Sequence, residues 1–250
     1  MSNPTLREEV FNSSQMNNDP LELDKVMTSS GTMLKTCILS LFVALTFGYS
    51  WSLLNAGYMD KAGLLSTVGA IGGFIMAMII CFAPKNKYLA VTTPVYAMLE
   101  GLFLGAASAI FNKMYPGIVF QAVAGTVLTL FGMFFLYSTR IIKVTDRLWK
   151  VVFISTFAIA GIYLLQFILS FFHLSIPGLF SNSLIGIGFS ILVIVVAAFN
   201  LLLDFDFIER FSGQTPKYME WYGGFSLMVT IVWLYIEILN LLAKVANRNN

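Results

Sequence analysis

The chain has 250 residues, of which 58% are hydrophobic and only 11% charged, with 23 Phe and a mean hydropathy of +0.80. A soluble domain carries roughly 45–50% apolar residues, so water is excluded as the solvent of most of this chain. Its net charge of +2 comes from basic residues scattered over short connections, which form no nucleic-acid-binding face and exclude that class of partner.

Residues 1–30 are polar, rich in Asn and Ser, and interrupted by Pro4 and Pro20. With so few large apolar residues they read as a disordered tail ahead of a membrane domain over 31–246. The first apolar run begins near Thr36 and lacks a small-residue cleavage site, so it reads as a retained span and not as a secretory signal.

A membrane helix needs about 20 apolar residues to cross roughly 30 Å of hydrocarbon. Windows at 36–55, 64–82, 90–111, 118–137, 151–172, 184–205 and 222–243 meet that need, which predicts an all-α protein of seven transmembrane helices. The connections carry turn residues or charge, as in Pro84 to Lys87, Tyr115-Pro116-Gly117, Arg140 to Lys150, and Pro177-Gly178. Most are short, so consecutive helices should be antiparallel neighbours.

Cytoplasmic loops are enriched in Lys and Arg. With the N-terminus inside, that side holds Arg7, Lys25, Lys35, Lys85, Lys87, Arg140, Lys143, Arg147, Lys150, Arg210 and Lys217, against Lys61, Lys113, Lys244 and Arg248 outside. This bias favours a cytoplasmic N-terminus and seven crossings. The seventh run, holding Glu237 and Asn240, reads as the least apolar and is the one that would re-enter instead of crossing.

Gly101 and Gly105 form a G-x-x-x-G pattern, read as internal helix packing more than as a dimer face. Cys37 and Cys81 are too few for a disulfide framework or zinc site and read as buried packing residues. The single His173 reads as a polar residue of a short connection, since one imidazole builds no metal site.

The acids carry the functional signal. Glu100 falls mid-span in the third helix, Asp204 and Asp206 end the sixth, and Glu237 lies well inside the seventh. A central charge costs about 2.5–3.5 kcal/mol even on a lenient insertion scale, so such residues face a protein interior or wet cavity and mark ion or proton paths. Asn200 and Asp204, four apart, share a helix face, whereas Asp206 is about 200° round the helix and points elsewhere. Tyr96 and Glu100 are likewise four apart and placed to support one another. Glu237, Asn240 and Lys244 form a polar stripe on an apolar helix, which predicts a seventh helix surrounded by protein. If Asp204 and Glu237 meet, the two carboxyls cannot both ionise cheaply in a low dielectric, and the pair holds one proton near neutral pH. Losing that proton would push the helices apart or recruit a cation, and oxygen ligands suit Ca²⁺. The bland alternative is that each acid is a protonated hydrogen-bonder that holds the bundle together.

The segments Asn200-Leu-Leu-Leu-Asp204-Phe-Asp-Phe-Ile-Glu-Arg and Trp233-Leu-Tyr-Ile-Glu237-Ile-Leu-Asn-Leu-Leu, with Tyr96-Ala-Met-Leu-Glu-Gly-Leu-Phe-Leu-Gly105, resemble the transmembrane Bax inhibitor motif family over residues 30–245. The resemblance implies six helices surrounding a central seventh, and a pH-sensitive calcium leak gated by a carboxyl pair between the last two helices. It assigns Asp204 and Glu237 to that pair and to transient calcium contact, Glu237 standing where the family pattern has Asp. Supporting roles fall to Glu100, Asn200 and Asn240, and to Lys85 and Lys87 as candidate cations set against the pair. No cofactor is implied beyond a transported calcium ion. The resemblance also suggests a non-transporting regulator that binds a membrane protease or other membrane proteins through its tail. A bacterial inner membrane is the location it points to. An enzyme is not expected, because the signature motifs of intramembrane aspartyl proteases are absent.

Overall fold

A backbone that crosses hydrocarbon must pair its own amides and carbonyls, and the apolar runs do so as helices. The computed structural model describes residues 26–83 and 88–249. Its helices are α1 (Ser29–Asn55), α2 (Met59–Phe82), α3 (Leu89–Met114), α4 (Ile118–Ser138), α5 (Asp146–Ser170), α6 (Leu184–Phe211) and α7 (Met219–Asn249). All seven are long and apolar enough to cross a membrane. Their outward faces carry large apolar side chains such as Phe120 and Leu128, 79% and 72% exposed, a surface that lipid covers and water would not tolerate.

The hydropathy windows locate every helix but miss its polar ends. Helix α1 starts at Ser29, seven residues before its window, because Thr28 caps it: the Thr28 hydroxyl accepts from Gly31 N at 3.0 Å. Thr145 caps α5 in the same way, accepting from Leu148 N at 3.2 Å with Asp146 in the first turn. Helix α7 is an unbroken run of 31 residues, about 46 Å long at 1.5 Å per residue, which removes the need for re-entry. It also has the largest buried share of the seven, 56% of its most apolar stretch, as the polar stripe predicts.

By contacts the described residues divide into two units, one of Tyr115–Asp206 with the chain from Thr230 onward and one of the chain from Val26 to Met114 with Phe207–Val229. In the latter, α1 and α2 both pack on α3 across glycine. A side chain at Gly105 would strike the Phe47 carbonyl, one at Gly101 would strike Thr46 and the Val43 carbonyl, and one at Gly69 would meet Leu99 O and Phe103 N. Gly101 and Gly105 thus serve internal packing, where close backbone approach replaces the hydrophobic drive that lipid removes. Gly105→Ala is expected to cost about 1–3 kcal/mol, because the obstructing atoms are backbone and cannot rotate away. Thermal unfolding in detergent measures it, with Gly132→Ala, a helix site with nothing within 4 Å of the added Cβ, as the control that should hold or rise slightly.

The residues just before α1 belong to the same unit. Met27 is fully buried; its N–H donates to Thr215 O at 2.7 Å, its carbonyl accepts from Gly213 N at 2.8 Å, and Val26 bridges Pro216. Part of the segment read as tail is therefore ordered, from Val26 onward; residues 1–25 lie outside the described residues, as do Lys85 and Lys87. Cys81 is half-buried, but Cys37 is exposed, a correction to its reading as a buried packing residue. Its helix turns that face outward, where a thiol is apolar enough to meet lipid. His173 sits exposed at φ 56° in the turn that ends α5, in keeping with a short connection.

In the other unit, α4 packs on α6 through Phe134 and Phe205, edge to face at 5.4 Å, and on α7 where Gly125 admits Ile238. Tyr163 of α5 stacks among Phe180 and Phe189, with centroids 5.6 Å and 6.2 Å away.

Candidate functional site

Three helices of this second unit bring polar side chains together where hydrophobic residues would be expected. The Thr230 hydroxyl of α7 donates to Asp204 Oδ2 of α6 at 2.6 Å. One turn earlier on α6, Asn200 Nδ2 donates to Thr156 Oγ1 of α5 at 2.8 Å and to its own helix at Val196 O, 3.0 Å. Asp204 is fully buried, Asn200 1% exposed, Thr230 2% and Thr156 9%. The two bonds lie one turn apart on one face of α6.

A further polar contact lies two turns along α7. The Tyr163 hydroxyl donates to Glu237 Oε1 at 2.5 Å, and Glu237 is 4% exposed. Tyr163 follows Thr156 by seven residues on α5 just as Glu237 follows Thr230 by seven on α7, so each helix contributes one face to both levels. A third contact ends the series: Lys244 Nζ donates to Ser190 Oγ at 2.9 Å and Gly186 O at 3.1 Å.

The Thr230–Asp204 and Lys244–Ser190 bonds fix the register of α6 against α7. Fourteen residues separate the two partners on each helix, so the antiparallel pairing runs unshifted for about 21 Å. In that register Glu237 stands level with Ala197, seven residues and about 10.5 Å from Asp204. The structure therefore does not join Asp204 and Glu237 in one carboxyl pair; it gives each its own hydroxyl donor. Helical spacing sorts residues onto faces but says nothing of the level at which a neighbouring helix meets them.

The other sequence candidates divide. Asn200 shares a helix face with Asp204, one turn away. Asn240 is half-buried on α7 between Glu237 and Lys244. Asp206 is half-buried. Glu100 and Tyr96 belong to the first-described unit: Tyr96 packs edge-on against Phe225 at 4.9 Å, while Glu100 turns to α2, its Oε2 3.1 Å from where a side chain at Gly73 would begin. The hydroxyls of Thr156, Tyr163 and Thr230 escaped the sequence reading, although their seven-residue spacings were visible. Glu220 escaped it too; 1% exposed at the start of α7, it accepts from Thr28 N at 3.1 Å and Thr28 Oγ1 at 2.9 Å.

Chemically, the lane offers two buried carboxyls with hydroxyl donors and a cation at one end, an arrangement able to exchange a proton or a metal cation for a hydrogen bond. Among the described residues no three His, Cys, Asp or Glu side chains gather as a metal cage. Tyr163→Phe keeps the ring contacts and removes only the donor to Glu237, and should cost about 1–3 kcal/mol of stability in detergent, the penalty for a buried acceptor losing its partner. An unchanged unfolding temperature would show that Glu237 does not depend on that bond.

Comparison with curated proteins and with solved structures gives no match. The family model described as Bax inhibitor 1 like matches residues 3–247. With seven spanning helices and a match over nearly its whole length, the chain belongs to the Bax inhibitor 1 like family of multi-pass membrane proteins.

Proposed function

We propose that the protein is a pH-sensitive cation leak, with calcium the first ion to test, whose gate is the lane bearing Asp204 and Glu237. The observation that carries this reading is the near-complete burial of both carboxyls inside spanning helices, Asp204 accepting from the Thr230 hydroxyl and Glu237 from the Tyr163 hydroxyl. Such acids are costly, and a structural role alone would be met more cheaply by hydroxyls or amides. Protons and metal cations compete for the same carboxylate oxygens, so acidification fills the gate with protons and lowers the leak, and alkalinisation raises it. Among the groups facing the two acids are Thr230 for Asp204, and Tyr163 and Trp233 for Glu237, with Lys244 further along the Glu237 face. The bias of Lys and Arg supports a cytoplasmic N-terminus, and the family resemblance supports a bacterial inner membrane.

The test is Ca²⁺ entry into dye-loaded vesicles containing the purified chain, followed from acidic to mildly alkaline pH. Wild-type protein should leak more as pH rises. If Asp204→Asn and Glu237→Gln leak as wild type does, with the same pH response, the carboxyls are not the gate.

A further inference from the structure

The loop that joins α5 to α6, residues 171–183, turns its large apolar side chains two ways. Phe171, Phe172 and Leu174 point outward, 69%, 70% and 58% exposed, as lipid-facing residues do. Phe180 is half-buried and turns inward. Its ring lies 5.6 Å from that of Tyr163 and 6.0 Å from that of Phe189, which are themselves 6.2 Å apart, so three rings close on one another. Tyr163 is the residue whose hydroxyl donates to Glu237. Two further contacts seat the loop. Gln166 Oε1 of α5 accepts from Ile176 N at 2.9 Å, and the backbone of the loop lies so close over Gly186 that a side chain there would strike the Ser181 and Gly178 carbonyls. At the same point the Gly186 carbonyl accepts from Lys244 Nζ.

We propose that this loop is a lid on the lane, with Phe180 the plug that shuts its Lys244 end to water and keeps Tyr163 on Glu237. Position supports this. Ser190, which accepts from Lys244, lies one turn inside Gly186 and about 9 Å from the start of α6, yet it is only 2% exposed. A polar group that near the end of a spanning helix stays dry when something covers it, and the loop is folded over the turn that precedes it. The seat is also small. Three rings and one side-chain hydrogen bond hold a connecting segment, and such segments open locally at far lower cost than packed helices. Lifting the loop withdraws Phe180 from Tyr163 and opens the way to Glu237, while the Thr230–Asp204 bond and the α6–α7 register stay in place. Entry at this end thus needs movement of a loop and not of a helix. The lid deepens the cation-leak reading and rests on it for what passes; the covering of Tyr163 and Gly186 does not depend on it.

Ser190→Cys places a thiol beneath the loop. Its reaction with a small cationic methanethiosulfonate, read by peptide mass spectrometry apart from Cys37 and Cys81, reports opening without any flux. In the full chain in detergent the reaction should be slow, and Phe180→Ala should speed it about tenfold or more, because access follows the population of the open form. Gly186→Ala, which lifts the loop without touching a ring, should do the same and decides the matter should Phe180→Ala not fold. Phe180→Tyr, which keeps a ring, and Phe172→Ala, on the same loop but turned outward, should stay near the parent rate. A rate that Phe180→Ala leaves unchanged overturns the lid. So does Phe172→Ala speeding the reaction as much as Phe180→Ala, which would mean general loosening. In vesicles, with Ser190 native, Phe180→Ala should raise the initial Ca²⁺ flux. Faster labelling without Ca²⁺ flux in any variant would sink the leak and leave the lid standing; unchanged labelling beside a Ca²⁺ leak would do the reverse.

Discussion

Asp204→Asn is expected to lower the cation leak about tenfold or more and to flatten its pH response. The substitution preserves shape, and the new amide oxygen still accepts the Thr230 hydroxyl, so the α6–α7 register should survive. What disappears is the charge. A unit charge met at about 4 Å in a medium of effective dielectric near 20 is worth roughly 4 kcal/mol to a passing cation, and 1.4 kcal/mol already amounts to a factor of ten. Tenfold is therefore the conservative reading. Glu237→Gln should act in the same direction but leave a residual pH response from Asp204, because the two acids lie in separate layers and titrate at separate oxygens. The double variant should then add the two losses, as expected of sites about 10 Å apart. A double variant no worse than Asp204→Asn would instead mean that the carboxyls work as one coupled unit, contrary to the register seen between α6 and α7. The measurement is initial Ca²⁺ flux in vesicles at matched protein content, with unfolding temperature as the check that each variant is intact.

How much of this was legible in the sequence follows from which physical rule each feature obeys. Hydrocarbon thickness fixes span length, so all seven helices were visible, and the burial of α7 followed from the polar stripe Glu237, Asn240 and Lys244. Helix ends were not, because hydropathy ignores caps: Thr28 and Thr145 extend α1 and α5 beyond their apolar windows through a side-chain bond and not through composition. Buried acids announce themselves by cost, hence Asp204 and Glu237. Their pairing depends on inter-helix register, which spacing within a helix cannot supply, and the hydroxyls that set the register are common residues with no cost to mark them. Thr230 looks like any threonine in a membrane helix until Asp204 is opposite it. The four-residue spacing puts Asn200 on the face of Asp204, but that its amide oxygen has no hydrogen-bond partner among the described residues emerges only from the positions of Thr156 and Val196.

Glu220→Ala should cause a large loss of stability, about 2–3 kcal/mol, the scale of hydrogen bonds to a charged acceptor. Glu220 opens α7, where a carboxylate also favours the helix N-terminus. Its Oε1 receives both the backbone N–H and the hydroxyl of Thr28, and Thr28 in turn caps α1 through Gly31 N. The local chain is shaped around that carboxyl: a side chain at Gly31 would occupy the same space as the Glu220 carboxyl oxygens. Removing the acid takes the shared acceptor from both Thr28 donors and loosens the segment that ties Met27 to Thr215, so hydrogen exchange should rise over residues 26–32 as the unfolding temperature falls. Lys35 separates charge from hydrogen bonding. Its Nζ is 3.9 Å from Glu220 Oε2, its side chain is 22% exposed, and it rests over the Trp221 ring at 5.2 Å. A partly solvated pair at that distance is worth at most about 1 kcal/mol, so Lys35→Met should be mild. Glu220→Gln keeps an acceptor for Thr28 and should fall between the two. If Lys35→Met proved as damaging as Glu220→Ala, the clasp would be held by the ion pair; the geometry assigns it to the two hydrogen bonds from Thr28.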